Sequence, residues 1–423
     1  MNVAIVTMAF PQPAETFATN DVREFRRRGM TVTVHCLRPA RGGENRLLAE
    51  RGLSGTKVTH NGCLASLRGL VAMFARPLLT GETLRWVARH SAKRQKDLWS
   101  SMLLIPRAFD ILADLERSHP EVVHLYWGHF PALVGRLVQR RRPGIATSIS
   151  IIAYDLEWAY GGTPDVARAA DVVRTLAAVN RPRLAEFIGI PQERIEVIFD
   201  GIDVAWLDGL RDATPKAPKS IVAIGRLVEA KGMDDVLAAF ALVRARIPGS
   251  TLQILGDGPD RQRLTALAAS LGVADSVVLR GHVDHAEVVR TLWRAEVMIL
   301  LSRARGERLP NVVKEGMACG CVCVTTPTSG IAELVEDGAT GFVVPMRDPA
   351  AAADVIAGVF TQRVDSGEMT KRAMAFVRRE FDLERTIARY QESWSAALER
   401  RRRPLSTTSS PERADPPDLG RQR

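Results

Sequence analysis

Short apolar runs recur along the chain, and between them lie stretches whose apolar residues return at helical spacing. Residues 3–8, VAIVTM, break their apolar character once, as a strand buried on both faces does. The polar-apolar segment from Glu15 to Arg28 reads as a helix, Gly29 as its stop and TVTVHCL as the next strand, which together make a βαβ unit. EVVHLYW and IATSISIIA are further strands, with a helix from about Pro131 to Arg142 between them. Residues 211–219, RDATPKAPK, carry two prolines and no period, and mark a linker. The rhythm then restarts: SIVAIG, a helix from about Met233, TLQILG, a helix from about Asp260, SVVLRG, a helix near 285–294, VMILLS, a short helix and CVCVTT. The alternation predicts an α/β fold of two doubly wound, Rossmann-like domains, 1–210 and 218–380.

A last helix, 383–403, follows the FD pair at 381–382 and places Ile387, Tyr390, Trp394 and Leu398 at helical spacing. Residues 404–423, PLSTTSSPERADPPDLGRQR, have a composition that cannot build a core, and a disordered tail is expected there.

Composition changes this picture little. A chain of 423 residues, 46% hydrophobic and 25% charged, suits a globular protein with two cores. There is no apolar run of about 18 residues to suggest a membrane span. MNVAIVTMAF lacks the basic start and small-residue cleavage site of a signal peptide, so a cytoplasmic location is expected. The run CGCVC at 319–323 could be read as a metal site. No histidine clusters with it, however, and Cys321 and Cys323 fall in an apolar strand, so they are read as core cysteines and no metal is assigned.

Charge changes it more. The net charge is +10, and residues 1–200 hold 27 Lys and Arg against 19 Asp and Glu, an excess of eight. In the window 57–107, Lys57, Arg68, Arg76, Arg85, Arg89, Lys93, Arg94, Lys96 and Arg107 stand against only Glu82 and Asp97, with LRGLVAMF and LRWV threaded between them. Such a segment fits peripheral contact with an anionic membrane or, equally, an ordinary helical pair with a solvated basic face. Nucleic acid is not expected, since no binding motif accompanies the charge.

The chemistry concentrates in residues 306–320, GERLPNVVKEGMACG. Pro310 fits the first position of a helix and Gly320 the residue past its end. Glu307 therefore lies in a loop and Glu315 in a helix, and two carboxylates approach one space from different elements. Upstream, AIGRLVEAKG runs from a strand into a turn at Gly225 and supplies Arg226 and Lys231. Two cations at the carboxyl edge of a parallel sheet can neutralise a diphosphate. The helix at 310 aims free N–H groups at the same cleft and brings Leu309, Pro310 and Asn311 into that site. Glu315, helix-held, suits the two hydroxyls of a ribose, which leaves Glu307 to a sugar.

In order along the chain, GRLVEAKG, LQILGDGPD, VVLRGHV, ERLPNVVKEGMACG and SGIAELVEDGATGFVVP resemble the nucleotide-sugar half of the retaining family 4 glycosyltransferases of GT-B architecture, over about residues 218–347. AFPQPAETF, VVHLYWGHFPA and IEVIFDGID look like the weaker signatures of bacterial exopolysaccharide members, including colanic-acid-type transferases. The resemblance implies two Rossmann-like domains facing across a cleft, with the last helix as a crossover back to the first. It implies that Arg226 and Lys231 hold the donor diphosphate, Glu315 the ribose and Glu307 the donor sugar near the reacting centre. Gly256, Asp257 and Gly258, with Pro259, match a turn that shapes the donor cleft. The implied donor is a nucleotide-diphosphate sugar, the acceptor a glycan, and no cofactor or metal is needed; a lipid-linked acceptor would explain the basic window.

One departure stands out. Many relatives carry His-Gly-x-Asp after a strand of the first domain, with the histidine reaching the donor sugar; here the stretch is IAYD, with Ile152 in that place and Asp155 kept. His129, in WGHFPA, is the remaining candidate for a catalytic imidazole. The acceptor is expected on the first domain, near Ala14, Glu15, Thr16 and Phe17. Two other functions share this architecture: a nucleotide-sugar epimerase, which needs no acceptor, and a silent protein that binds the donor and releases nothing.

Overall fold

The computed structural model describes residues 1–12, 16–92, 94–304 and 306–402. The expectations that fall on Ala14, Glu15, Lys93 and the tail 404–423 lie outside the described residues.

Two parallel sheets carry the architecture. Among the described residues the first contains β1 (Asn2–Thr7), β2 (Thr31–Pro39), β3 (Lys57–Asn61), β4 (Val122–Leu125), β5 (Ala146–Ser150), β6 (Val172–Thr175) and β7 (Ile195–Val197), in the order 3-2-1-4-5-6-7. The second contains β8 (Ser220–Ile224), β9 (Thr251–Leu255), β10 (Val277–Gly281), β11 (Val297–Leu300), β12 (Val322–Thr325) and β13 (Phe342–Val343), in the order 10-9-8-11-12-13. Strand order reverses between β1 and β4 in one sheet and between β8 and β11 in the other, where Val3 pairs with Val122 and Val297 with Ile221. Crevices for ligands open at such points, outside the carboxyl ends of the strands.

The period of two in a strand decides which layer each residue joins. In β1, Val3 and Ile5 enter one core with Phe25 and Val34, whereas Ala4 and Val6 enter another with Phe109 and Leu112. In β8, Ile221 and Ala223 face Leu237 and Phe240 while Val222 and Ile224 face Met317 and Val377. Cys319, Cys321 and Cys323 are buried in that last layer.

The last helix, Leu383–Arg402, packs on the first sheet: Leu383, Ile387, Tyr390 and Trp394 share a core with Val3, Ile5 and Phe25. To reach it the chain passes beside the 199–203 segment, where Ile202 donates to the Phe381 carbonyl at 2.8 Å and Leu383 to the Ile202 carbonyl at 2.9 Å. Gly201 permits this approach, since a Cβ there would stand 2.5 Å from the Leu383 Cα.

The basic window differs from the expected helical pair. It contains β3 and three helices, Cys63–Phe74, Pro77–Ser91 and Gln95–Ser118. Part of its charge is spent internally, Arg68 and Arg107 on Asp110 and Arg76 on Glu116. The first two helices meet at 109°, and Phe74 and Leu78 at their corner are 83% and 84% exposed. Among the described residues no single helix is long and apolar enough to cross a membrane.

Candidate active site

Backbone geometry comes first. The chain leaves β8 through Gly225 and β9 through Gly256, and these two exits lie against each other: Gly225 donates to the Leu255 carbonyl at 3.0 Å and Leu227 to the Asp257 carbonyl at 3.0 Å. A Cβ on Gly256, whose φ is +140°, would stand 1.9 Å from the Gly225 oxygen, and one on Gly258 would stand 2.3 Å from the Leu227 oxygen. Only glycine fits either place. The Asp257 carboxylate turns back to the Gly258 N–H at 2.7 Å, so this turn shapes the edge through its own hydrogen bonds.

Lys231 ends a short 3-10 turn, Glu229–Lys231, and left-handed Gly232 follows at φ +64°. The exit of β11 fastens that turn, because Arg303 donates its backbone N–H to the Ala230 carbonyl at 2.8 Å and Ser302 its hydroxyl at 3.2 Å. Four residues on, Glu307 ion-pairs through Oε1 with the Lys231 ammonium. Its other oxygen, Oε2, is buried and has no hydrogen-bond partner among the described residues. Leaving a buried carboxylate oxygen unpaired costs free energy that a hydroxyl donor would recover. Arg226 is exposed and makes no ion pair among the described residues, which leaves its guanidinium available to an anion.

Pro310 stands one residue earlier than expected. It precedes helix Asn311–Ala318 with φ −59° and ψ 125°, an extended conformation that the helix interior forbids. Val313 and Lys314 turn their N–H groups back to the Pro310 carbonyl at 3.0 and 3.3 Å, so the donors left for a ligand at this end narrow to Asn311 and Val312. Leu309 packs partly on the core, and the Asn311 side chain accepts from the Lys314 ammonium at 3.0 Å.

Glu315 is buried in the same helix and meets His285 Nε2 at 2.8 Å. Partial burial of that imidazole works against its charge, but the Glu315 carboxylate outweighs it and raises the pKa of His285. The ring also lies tilted against Trp206, with centroids 4.7 Å apart and planes at 33°. Lys314 was not singled out in the sequence, and it is fully buried: it donates to the Asp200 carbonyl at 2.9 Å, across to the other half of the chain. Burial brings its pKa down to about 8, against the pull of Asp200, Glu315 and Asp21. A lysine inside an otherwise apolar VVKEG pattern was the signal for it.

His129 is buried rather than open to the space between the sheets, with Nδ1 3.0 Å from the Asp155 carboxylate. The second Asp155 oxygen accepts the Ile152 N–H at 3.1 Å. The aspartate kept in IAYD thus holds an imidazole supplied by another strand end, while Ile152 contributes its backbone.

Contacts between the two edges complete the site. The Glu333 carboxylate of SGIAEL accepts N–H groups of Ala178 and Val179 at 2.6 and 2.8 Å, and Arg308 Nε donates to the Asn180 side chain at 3.1 Å. A Cβ on Gly306 would stand 3.4 Å from the Glu157 carboxylate. Glu333 lies in a motif that the sequence had singled out, but nothing in the sequence pointed to its partners. A cavity of about 710 Å³ is lined by Thr328, Ile331, Thr340 and Phe376, and Arg226, Lys231, Glu307 and Glu315 are not among its lining residues.

Residues 211–376 match the family model of the group 1 glycosyl transferases. That segment contains every motif of the donor half described above. The glycogen synthase of Mycobacterium tuberculosis is 28% identical over 239 residues, 56% of this chain and 57% of that protein. The chain therefore spans a little over half the length of that relative. The putative colanic acid biosynthesis glycosyltransferase WcaL of Salmonella typhimurium is 28% identical over 373 residues, 84% of this chain and 89% of its own. Among solved structures, Anabaena Alr3699/HepE in complex with UDP superposes with a TM-score of 0.69 at 16% identity, over 94% of this chain and all of that one. At that identity the likeness is one of fold, and the fold is GT-B.

Proposed function

We propose that the chain is a retaining glycosyltransferase of the family 4 type that moves a hexosyl group from a nucleotide-diphosphate sugar to a glycan hydroxyl in surface or exopolysaccharide synthesis. The observation that carries this reading is the Lys231–Glu307 pair at the carboxyl edge of the second sheet, with one buried oxygen of Glu307 left unpartnered. A hydroxyl of the donor sugar suits that oxygen, and the diphosphate suits Lys231 and Arg226. The matched family model and the exopolysaccharide relatives support the reaction class.

In the reaction, the bond from the anomeric carbon to the diphosphate breaks and a bond to the acceptor oxygen forms on the same face. A diphosphate oxygen takes the acceptor proton, and the nucleoside diphosphate leaves. Charge grows on the leaving group, so cations already in position stabilise the transition state more than the ground state. Arg226 and Lys231 supply that countercharge, and no metal is assigned a role.

The acceptor is proposed to be lipid-linked, reached at the inner face of a membrane. Support comes from helices Cys63–Phe74 and Pro77–Ser91 with the start of Gln95–Ser118, which carry exposed Leu64, Leu67, Val71, Phe74 and Leu78 together with exposed Arg85, Arg89 and Lys96. Apolar side chains beside cations suit an anionic lipid surface. Flotation with anionic liposomes checks it, and a protein that stays wholly in solution counts against membrane contact.

The test of the reaction is a mass-spectrometric screen of nucleotide sugars for binding, followed by release of nucleoside diphosphate with glycan acceptors. Glu315→Ala is expected chiefly to weaken nucleotide affinity and Glu307→Ala chiefly to lower turnover. Equal and negligible effects would refute these roles, and binding without release would leave a silent protein.

A further inference from the structure

The carboxyl edge of the first sheet is lined by aromatic rings. Phe17 follows β1, Trp127 follows β4, and Tyr154 and Trp158 sit on helix Ala153–Trp158 after β5. These three strands are neighbours, and the order reverses between the first two, so the rings stand where a doubly wound sheet opens its crevice. Phe17 meets Trp127 edge-on at 6.2 Å, and Tyr154 meets Trp158 edge-on at 5.5 Å. Between them lies buried His129, 6.0 Å from Trp127, 6.2 Å from Tyr154 and 5.0 Å from Trp158. The Asp155 bond fixes that imidazole, and with it the centre of the group.

Tyr154 is 52% exposed, although every ring around it is at least half-buried. Its helix also carries Glu157, whose carboxylate faces Gly306, one residue before Glu307. An open aromatic face therefore lies on the element opposite the donor-sugar carboxylate.

A pyranose ring has one face of C–H groups and a rim of hydroxyls. Aromatic π-faces carry negative charge and attract the weakly positive hydrogens of such a C–H face, while the rim stays wet or meets polar groups. We propose that Tyr154, flanked by Trp158, is the stacking platform for the terminal sugar ring of a saccharide acceptor. His129 and Asp155 are positioning residues that hold the rings in place. This rests on the transferase reading for its role, and on the aromatic geometry alone for its ligand.

The experiment is saturation-transfer NMR with lactose, maltose, cellobiose and methyl α-mannoside, on the full chain and on Tyr154→Ala, Tyr154→Phe and Tyr154→Trp. At least one of the four is expected to receive saturation through its ring C–H protons, with a five-fold or greater loss in Tyr154→Ala and retention in the two aromatic variants. Binding of UDP-glucose and GDP-mannose should be unchanged in Tyr154→Ala, which shows at once that the variant is folded and that the donor edge is intact. A signal that survives Tyr154→Ala overturns the proposal, as does no signal from any of the four. A loss in Tyr154→Phe as large as in Tyr154→Ala overturns it too, because the hydroxyl rather than the ring would then hold the sugar. If the signal behaves as expected but no nucleotide sugar is turned over, the platform stands and the transferase reading falls.

Discussion

The two carboxyl edges carry opposite kinds of side chain on the same scaffold. At the second sheet the ligands are small or charged: glycines that let two backbones touch, a Lys231–Glu307 pair, an open Arg226, and Glu315 held by His285. At the first sheet they are rings around a buried His129–Asp155 pair. The diphosphate of the proposed donor must be met by charges at fixed places, so little change in type or spacing is expected to be tolerated at the second edge. A sugar face can be met by any flat ring, so the proposed acceptor edge is expected to accept another aromatic residue in place of Tyr154. Under the proposed function, the difference teaches that one half suits a common handle and the other a particular acceptor.

The largest effect that tests this contrast is on turnover. Glu307→Gln keeps the volume of the side chain but removes the charge that neutralises Lys231 and one of the two oxygens, of which Oε2 is the one proposed to meet the sugar. A fall in kcat of about 10²–10³-fold is expected, the size seen when one preorganised group at a reacting centre is lost. Tyr154→Ala, at the other edge, should leave the acceptor-independent hydrolysis of the donor within about two-fold, far below the fall that losing one such preorganised group causes. Steady-state kinetics with and without acceptor compares them, and a fall of similar size in both variants would erase the distinction between the edges.

Next in size is a stability effect confined to the second edge. Gly256→Ala drives a methyl group to 1.9 Å from the Gly225 oxygen at a φ of +140°, and neither backbone has room to retreat. A loss of about 2–4 kcal/mol is expected, from steric clash and backbone strain together. Gly144→Ala, in the first half, meets nothing within 4 Å and should be near neutral. Urea unfolding of both variants measures the contrast.

These two edges were unequally legible in the sequence. Glycines, paired charges and a Pro-to-Gly helix are local features, and their spacing survived into the structure: Lys231 and Glu307 meet, and Gly320 ends its helix at φ +69°. What was missed depends on distant pairing. Nothing local says that Glu315 will be shared with His285, that Glu333 will reach the backbone of Ala178, or that Asp155 will take an imidazole from β4 after the one at Ile152 is gone. Strands β3, β6, β7 and β13 were not singled out as strands for a similar reason. Each is short, and its place depends on the sheet beside it more than on its own pattern.

A smaller effect sharpens the contrast through pH. Beneath the aromatic edge, Asp21 is buried and accepts the Tyr126 hydroxyl. Burial, and then the nearby Asp200 carboxylate, raise its pKa from 3.8 to about 7, against the pull of Tyr126, Arg174 and Lys314. Between those two values the folded chain keeps a proton that the unfolded chain has released. The native state then binds more protons, and stability falls as pH rises through this window. Asp21→Asn removes the titration, so its melting temperature should hold between pH 5 and pH 7.5 while that of the parent declines, with a difference of about 1–2 kcal/mol at the upper end. Parallel declines in the two proteins would assign the pH dependence to other groups.

The smallest expected effect separates the edges by salt. Arg226 is exposed, and an exposed cation loses much of its pull on an anion once the Debye length shrinks from about 10 Å at 0.1 M salt to about 3 Å at 1 M. Lys231 is screened less, because it is only 26% exposed and is already paired with Glu307. Donor KM should therefore rise by about two- to four-fold over that range, and Arg226→Ala should abolish most of the rise at the cost of a higher starting value. Stacking of a neutral sugar on Tyr154 involves no net charge, so acceptor KM should stay level over the same range. An acceptor KM that climbs with the donor KM would mean that charge, and not the aromatic face, dominates both edges.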